Sequence, residues 1–273
     1  MTDAHMDVNR ASWDERVAIH LRDDGRIYPI AAFKAGADAL MPIEAGEIGD
    51  VSGKRIAHLQ CHFGMDSLSL ARRGADVTGL DFSPAAIATA RALSAETTIP
   101  ATFVEGDVYE ARSLLSGDFD MVYVTWGTII WLPDIRRWAE VASSLLKPGG
   151  RLYLAEGHPF LNQIDQTGGD LVVTWDWRTP IDQPLVFEEA ETYAGDGTPL
   201  TAQRTFEWIH PLSDIVTGLI DAGLTLDVLR EHDALPWPAV PMMQQGEDGL
   251  FRLPPDRAGP PLAFSLQATR RGT

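Results

Sequence analysis

The 273-residue chain is 45% hydrophobic and 22% charged, the balance of an ordinary globular protein, and it holds no apolar run of about 18 residues that would span a bilayer. Its formal net charge of −17 would repel a phosphate backbone, which argues against nucleic acid and for a small-molecule partner. The single cysteine, Cys61, permits no internal disulfide, and MTDAHMDVNRASWDER lacks the basic start and apolar stretch of a secretory signal, so the cytoplasm is the expected compartment.

The length suits one core with elaborations. Residues 1–50 form a first unit, expected to be a helical cap. It carries Trp13, His20, Tyr28 and Phe33 in one or more helices that precede the sheet and are placed to fold over its ligand edge. From residue 55 short apolar runs alternate with amphipathic stretches: RIAHLQ, DSLSLARRG, DVTGLD, PAAIATARALSA, ATFVEGD, FDMVYVT, PDIRRWAEVASSLL and RLYLAEG. That is β-α-β-α-β, a further strand, then α-β. Parallel neighbours cannot be joined by a tight turn, so strands separated by helical crossovers predict an α/β, Rossmann-like, doubly wound sheet across residues 51–273.

The pattern changes after residue 157. LVVTWDWRTP, then PLVFEEAETY and TAQRTFEWIH around the turn-rich AGDGTP, read as a β-ribbon insertion over 160–211, after the fifth strand. LSDIVTGLIDAG reads as a helix, LTLDVLREH as a strand, and LAFSLQATR as an antiparallel strand at the sheet edge. The Pro- and Gly-rich stretch 233–261 is expected to be a long irregular loop.

Ligands of a doubly wound sheet lie beyond the C-terminal strand ends. Asp81 ends the second strand, 17 residues after Gly64, close to the spacing of about 20 between a glycine loop and an acid that accepts both ribose hydroxyls. An N-cap for the helix starting at Pro84 is its structural alternative, a task Ser83 also suits. The loop after the first strand, Gln60-Cys61-His62-Phe63-Gly64-Met65-Asp66, keeps one glycine and places a carboxyl near a helix start. It therefore suits a dinucleotide diphosphate poorly. S-adenosylmethionine, with a ribose and adenine but a sulfonium and a zwitterionic amino acid in place of the diphosphate, fits better.

HLQCHFGMDSLSLARRGADVTGLDFSPAAI, followed by VEGDVY and LLKPGGRLYLAEGHP, resembles the class I S-adenosylmethionine-dependent methyltransferase superfamily over residues 54–158. The loop departs from the superfamily's usual E/D-x-G-x-G, and its CHFG is similar to one subgroup of methyltransferase-like proteins. The resemblance implies a seven-stranded sheet and S-adenosylmethionine as cofactor. It assigns Gly64 to close backbone approach, Asp81 to the ribose, Phe82 to adenine packing, and Asp107 to the adenine amino group with Val108 beside it. Thr125 and Trp126 would border the reacting methyl, and Gln60 and His62 join the cofactor-binding set. Core packing is the plain alternative for Phe82 and Val108, and a turn role for Asp107.

Methyl transfer from a sulfonium is an in-line displacement, so alignment of the acceptor and exclusion of water are its main requirements. His158 and His210 are the candidates for a catalytic base, each also readable as a hydrogen-bonded structural residue. Trp13, Tyr28 and Trp131 are candidates for substrate contact. Trp126, Trp131, Trp175, Trp177, Trp208 and Trp237 would either wall an aromatic pocket or pack a lid. No metal site is expected, because Glu156 and His158 lack a second pair at ligand spacing. The expected activity is methyl transfer to an O, N or C atom of a small molecule, and a homodimer is compatible with the sequence. The rival readings are a protein that uses S-adenosylmethionine for a non-methylating rearrangement, an NAD-dependent oxidoreductase, and a non-catalytic interaction module.

Overall fold

Seven strands form one mixed sheet in the computed structural model, which describes residues 2–272. Three helices come first: α1 (Thr2–His20), α2 (Ile30–Lys34) and α3 (Pro42–Glu47). The alternating core follows as β1 (Arg55–Leu59), α4 (Met65–Arg72), β2 (Asp76–Asp81), α5 (Pro84–Thr97), β3 (Thr102–Glu105), α6 (Ala111–Leu114), β4 (Phe119–Thr125), α7 (Ile135–Leu145) and β5 (Leu146–Gly157). Two antiparallel hairpins come next, β6 (Ile164–Thr167) with β7 (Asp170–Val173), and β8 (Leu185–Glu188) with β9 (Arg204–Glu207). The chain ends with α8 (Leu212–Asp221), β10 (Leu224–His232), the short pair β11 (Gln244–Gln245) and β12 (Phe251–Arg252), and β13 (Ala263–Arg270).

The strand order is β10-β13-β5-β4-β1-β2-β3. Strands β1 to β5 pair in parallel because each crossover carries a helix or helical turn, whereas β13 runs antiparallel to both β5 and β10. The winding reverses between β1 and β4, and their tips mark the switch point where ligands of such sheets bind. Both faces of the sheet are covered, which is why β4 reads as a continuous apolar run. On one face α3 and α4 bury Ile48 and Leu70 against Ile56, Tyr123 and Tyr153; on the other α7 and α8 bury Trp138, Leu145 and Leu219 against Leu152 and Leu266. Helix α7 is fixed at its start by Asp134, whose carboxylate accepts the N–H groups of Arg136 and Arg137 at 3.1 and 3.0 Å. Its apolar stripe Ile135, Trp138, Ala139, Ala142 and Leu145 is buried, and truncating Trp138 to alanine would cost about 3–5 kcal/mol.

Three expectations need correction. β13 lies inside the sheet, between β5 and β10, and not at its edge; its residues 263–266 are fully buried, so an apolar terminal strand of this kind is better covered than exposed. Between β3 and β4 the chain makes a helical turn at Val108–Glu110 and then α6, where the sequence pattern predicts strand directly followed by strand. The stretch 233–261, expected as a long irregular loop, contains the short antiparallel pair β11–β12, and Leu235, Val240, Met243 and Phe251 in it are buried against Leu161 and Ile164.

Helix α1 is stitched to the β8–β9 hairpin. The Asn9 amide donates to the Phe206 carbonyl and accepts its N–H, both at 2.8 Å, extending the β9 ladder with a side chain. Arg16 meets Glu189 at 3.0 Å, Glu15 accepts the N–H groups of Thr201 and Ala202, and Asp14 accepts the Ser83 hydroxyl at 2.5 Å. Helix α1 and the hairpin together enclose the space above the strand tips. Among the described residues no helix is long and apolar enough to cross a membrane.

Candidate active site

A cavity of about 1250 Å³ opens at the tips of β1, β2 and β4. A single drug-sized ligand needs about 300–1000 Å³, so the space exceeds that range. Three of the four non-glycine residues with positive φ among those described line it: Gln60 (56°), His62 (49°) and Trp126 (57°). Left-handed backbone at such residues costs of order 1–2 kcal/mol each. Its concentration at two neighbouring strand tips marks the place where the fold stores strain to present a surface.

Asp81 holds the β1 loop in that shape. Its Oδ2 accepts the His62 N–H at 2.8 Å and its Oδ1 the Ser83 N–H at 2.9 Å. Burial pushes its pKa up to about 6 against the pull of these backbone donors. Ser83 caps α5 by accepting the Ala86 N–H at 3.0 Å, so capping is not the task of Asp81. Gly64 needs its small side chain for a local reason: at φ 78° an added Cβ would lie 2.6 Å from the Phe103 ring. Gln60 donates through Nε2 to the Thr128 carbonyl at 2.8 Å, while its Oε1 is buried and has no partner among the described residues.

The cavity brings together Gln60, His62, Gly64, Asp81, Phe82, Asp107, Val108, Thr125, Trp126, Trp13, Tyr28, Trp131 and His210. Asp107 also caps the turn after β3, accepting the Tyr109 N–H at 2.8 Å, and Val108 is part of the core. His210 donates its Nε2–H to the Leu132 carbonyl at 2.7 Å, since a carbonyl only accepts; Nδ1 is then the basic nitrogen, and burial lowers its pKa. His158 is directed elsewhere. It does not line the cavity, its Nδ1 accepts the Phe160 N–H at 3.1 Å, and its Nε2 faces Glu231 at 3.2 Å. Six tryptophans line the walls, Trp175, Trp208 and Trp237 among them, whereas Trp177 is exposed.

Sequence reasoning missed several lining residues. Glu156, the last acid of β5, accepts the N–H groups of Thr128 at 2.7 Å, Ile129 at 3.1 Å and Gly157 at 2.9 Å, and that of Gly127, which shapes the β4 loop. The strand-end rule that singled out Asp81 applies equally to it. Over the β1 loop, Arg16 donates to Thr192 at 3.1 Å, Thr192 meets His20 at 2.8 Å, and His20 meets His62 at 3.1 Å. Burial, then the Arg16 charge, lowers the His20 pKa to about 3, and burial also keeps His62 neutral. Tyr28 and Tyr193 join hydroxyls at 2.6 Å beside them. No short-range signal connects residue 20 with 192, because the tie exists only once the hairpin folds back. In all, eleven acidic and two basic side chains line the cavity, an environment that favours cationic ligands.

The methyltransferase domain family matches residues 56–150. A ubiquinone biosynthesis O-methyltransferase from Xanthomonas euvesicatoria pv. vesicatoria is 32% identical over 188 residues, covering 69% of this chain and 70% of that protein. The enzyme of the same name from Photorhabdus laumondii is 33% identical over 107 residues, 39% of this chain and 44% of its own length. The chain thus spans about half the length of some curated relatives, 44% and 48% for the Photorhabdus and Cronobacter sakazakii proteins. In structure it is similar to S-adenosylmethionine-dependent methyltransferases from Mesorhizobium loti (TM-score 0.60, 19% identity, 87% of this chain and 100% of that one) and Clostridium acetobutylicum (0.55, 12%, 84% and 89%). At those identities the likeness is one of fold.

Proposed function

Because the chain belongs to the class I S-adenosylmethionine-dependent methyltransferase superfamily, we propose that it transfers the methyl of S-adenosylmethionine to an O, N or C atom of a small molecule. The observation that carries the reading is the strained β1 loop held by Asp81 at the switch point, with the unpartnered Gln60 Oε1 beside it. The residues present suit the cofactor. Asp81 supplies acceptors for both ribose hydroxyls, Phe82 and Val108 a surface for the adenine, Asp107 an acceptor for its amino group, and Gln60 an acceptor for the ammonium. Asp66 would oppose a diphosphate at the start of α4 and tolerates a sulfonium.

Bound there, the cofactor supplies an electrophilic methyl on a positively charged sulfur. The chain's own residues then need to align the acceptor and keep water out. Trp13, Tyr28 and Trp131 come from the cap and the β4 loop and enclose the reacting region. Trp13 meets His62 and Trp131 edge to face, with ring centroids 5.4 and 5.3 Å apart, so the three elements close as one wall. Where the acceptor must lose a proton, His210 on the cavity wall is the candidate base, and burial keeps it neutral.

Calorimetry tests the reading. The protein is expected to bind S-adenosylhomocysteine at micromolar concentration and not NAD, and to produce S-adenosylhomocysteine when incubated with S-adenosylmethionine and acceptor candidates. Binding of NAD without S-adenosylhomocysteine refutes it. The charge of −17 and the cavity support a small-molecule partner and no nucleic acid. A cytoplasmic location, a homodimer, and a division into a cap over 1–50 and a catalytic unit over 51–273 with its insertion at 160–211 complete the proposal.

A further inference from the structure

On the β4 side of the cavity two carboxyl groups arrive from different helices with no cation to meet them. Glu44, on α3, is fully buried; its Oε1 accepts the Met41 N–H at 2.6 Å, while Oε2 has no hydrogen-bond partner among the described residues. Asp66, in the first turn of α4, accepts the Thr125 hydroxyl at 3.1 Å. Both line the cavity. The nearby guanidinium of Arg73 is engaged by Asp38 at 2.9 Å and Arg72 is spent on backbone carbonyls; of the cavity's own two cations, Arg16 is bound to Glu189 and Arg26 lies over the Phe251 ring, 5.2 Å from its centroid. The remaining neighbours are neutral: the Tyr123 hydroxyl, buried with no partner among the described residues, and the Trp126 indole N–H, which faces the Glu44 carboxyl and pulls its pKa down without closing a normal hydrogen bond to it.

An acceptor oxygen left unpaired in a buried site costs about 1–3 kcal/mol unless a ligand satisfies it. We infer that Glu44 and Asp66 form an ammonium-binding subsite and that the methyl acceptor is a small molecule bearing a protonated amine. The inference rests on the methyltransferase reading and deepens it. An ammonium brings three N–H donors, enough for Glu44 Oε2 and Asp66 with one to spare. A sulfonium brings none, and among the described residues no group of three or more His, Cys, Asp or Glu is placed to hold a metal ion. Trp126 and Trp237, whose rings meet at 71° with centroids 6.3 Å apart, offer faces that attract a cation.

The location distinguishes the acceptor's amine from the cofactor's. Asp81 ends β2, Gln60 follows β1, and β4 is the next strand in the same direction. A cofactor whose ribose lies at β2 and whose ammonium meets Gln60 leaves the β4 tip, with Thr125 and Trp126, to the acceptor. Electrostatics agrees with this arrangement. Burial and the Asp66 charge hold the Glu44 carboxyl well above the usual range, and burial and the Asp38 charge raise Asp66 against the Thr125 hydrogen bond. An arriving cation would relieve that repulsion.

The test titrates benzylamine, benzyl alcohol and benzoate into wild type, Glu44→Gln and Asp66→Asn, each saturated with S-adenosylhomocysteine. Wild type is expected to prefer the amine over the alcohol by about tenfold or more, with benzoate weakest. Each variant is expected to lose that preference while binding the alcohol as before. Equal binding of amine and alcohol by wild type overturns the inference. A second arm compares S-adenosylhomocysteine with 5′-methylthioadenosine, which lacks the amino acid. If the substitutions weaken only the former, the subsite serves the cofactor and the inference fails. Wild type that binds no S-adenosylhomocysteine yet prefers the amine refutes the methyltransferase reading alone. Should Glu44→Gln not fold, Asp66→Asn decides by itself.

Discussion

Replacing Asp81 should separate its two tasks. In Asp81→Ala the cofactor ribose loses an ionised acceptor for two hydroxyls, each hydrogen bond contributing about 1.5–3 kcal/mol, so affinity for S-adenosylhomocysteine should fall about 10²–10⁴-fold. The same change strips the His62 and Ser83 N–H groups of their acceptor. Each loss costs about 1–3 kcal/mol, reduced where cavity water takes over, for a net destabilisation of about 2 kcal/mol. Asp81→Asn keeps the volume but aims an NH2 at one backbone N–H, so it should weaken binding as well. The wild-type pH profile gives an independent reading. The apo carboxyl has its pKa raised to about 6, and the ribose requires the ionised form. Affinity is therefore full above pH 6 and falls about tenfold per unit below it, a dependence both variants should lack. Isothermal titration of S-adenosylhomocysteine from pH 5 to 8, with urea unfolding alongside, measures all of this. Binding by Asp81→Ala within about threefold of wild type at pH 7.5 would refute the ribose assignment.

Three further outcomes follow from the same geometry. His20 stays neutral in the fold to about pH 3, whereas the unfolded chain protonates it below about 6.5, so its share of stability is lost as pH falls through that window. His20→Gln should then lose about 2 kcal/mol less than wild type between pH 7 and pH 5, and equal losses in urea unfolding would contradict the buried neutral assignment. Gly64→Ala should destabilise the protein by about 2–4 kcal/mol through left-handed strain and the Phe103 clash. Part of that should return in Gly64→Ala with Phe103→Leu, and an unchanged melting temperature in the single variant would exclude the clash. Glu156→Gln places donors against the backbone N–H groups of residues 127–129; faster amide exchange there is expected, and unaltered protection would show that the carboxylate does not shape the loop.

The sequence determined the elements that depend on local chemistry. Period-two and period-3.6 patterns set out β1 through β5 with α4, α5 and α7, Ser83 and Pro84 marked a helix start, and the acid that ends β2 marked the edge where the cavity opens, because each signal lies within a few residues of what it specifies. Tertiary structure decided the rest. Whether β13 lies at an edge or between strands depends on which surface β5 leaves uncovered, not on the strand's own residues. His158 and His210 look alike in sequence, each beside a proline, and only the packing of Glu231 and Leu132 against them sends one away from the cavity and the other onto its wall. The same holds for Glu44 and Asp66, 22 residues apart on separate helices, and for His20, Thr192 and His62. Contacts between distant segments follow from how apolar faces dock, and the polar groups they carry are brought together only as a consequence of that docking.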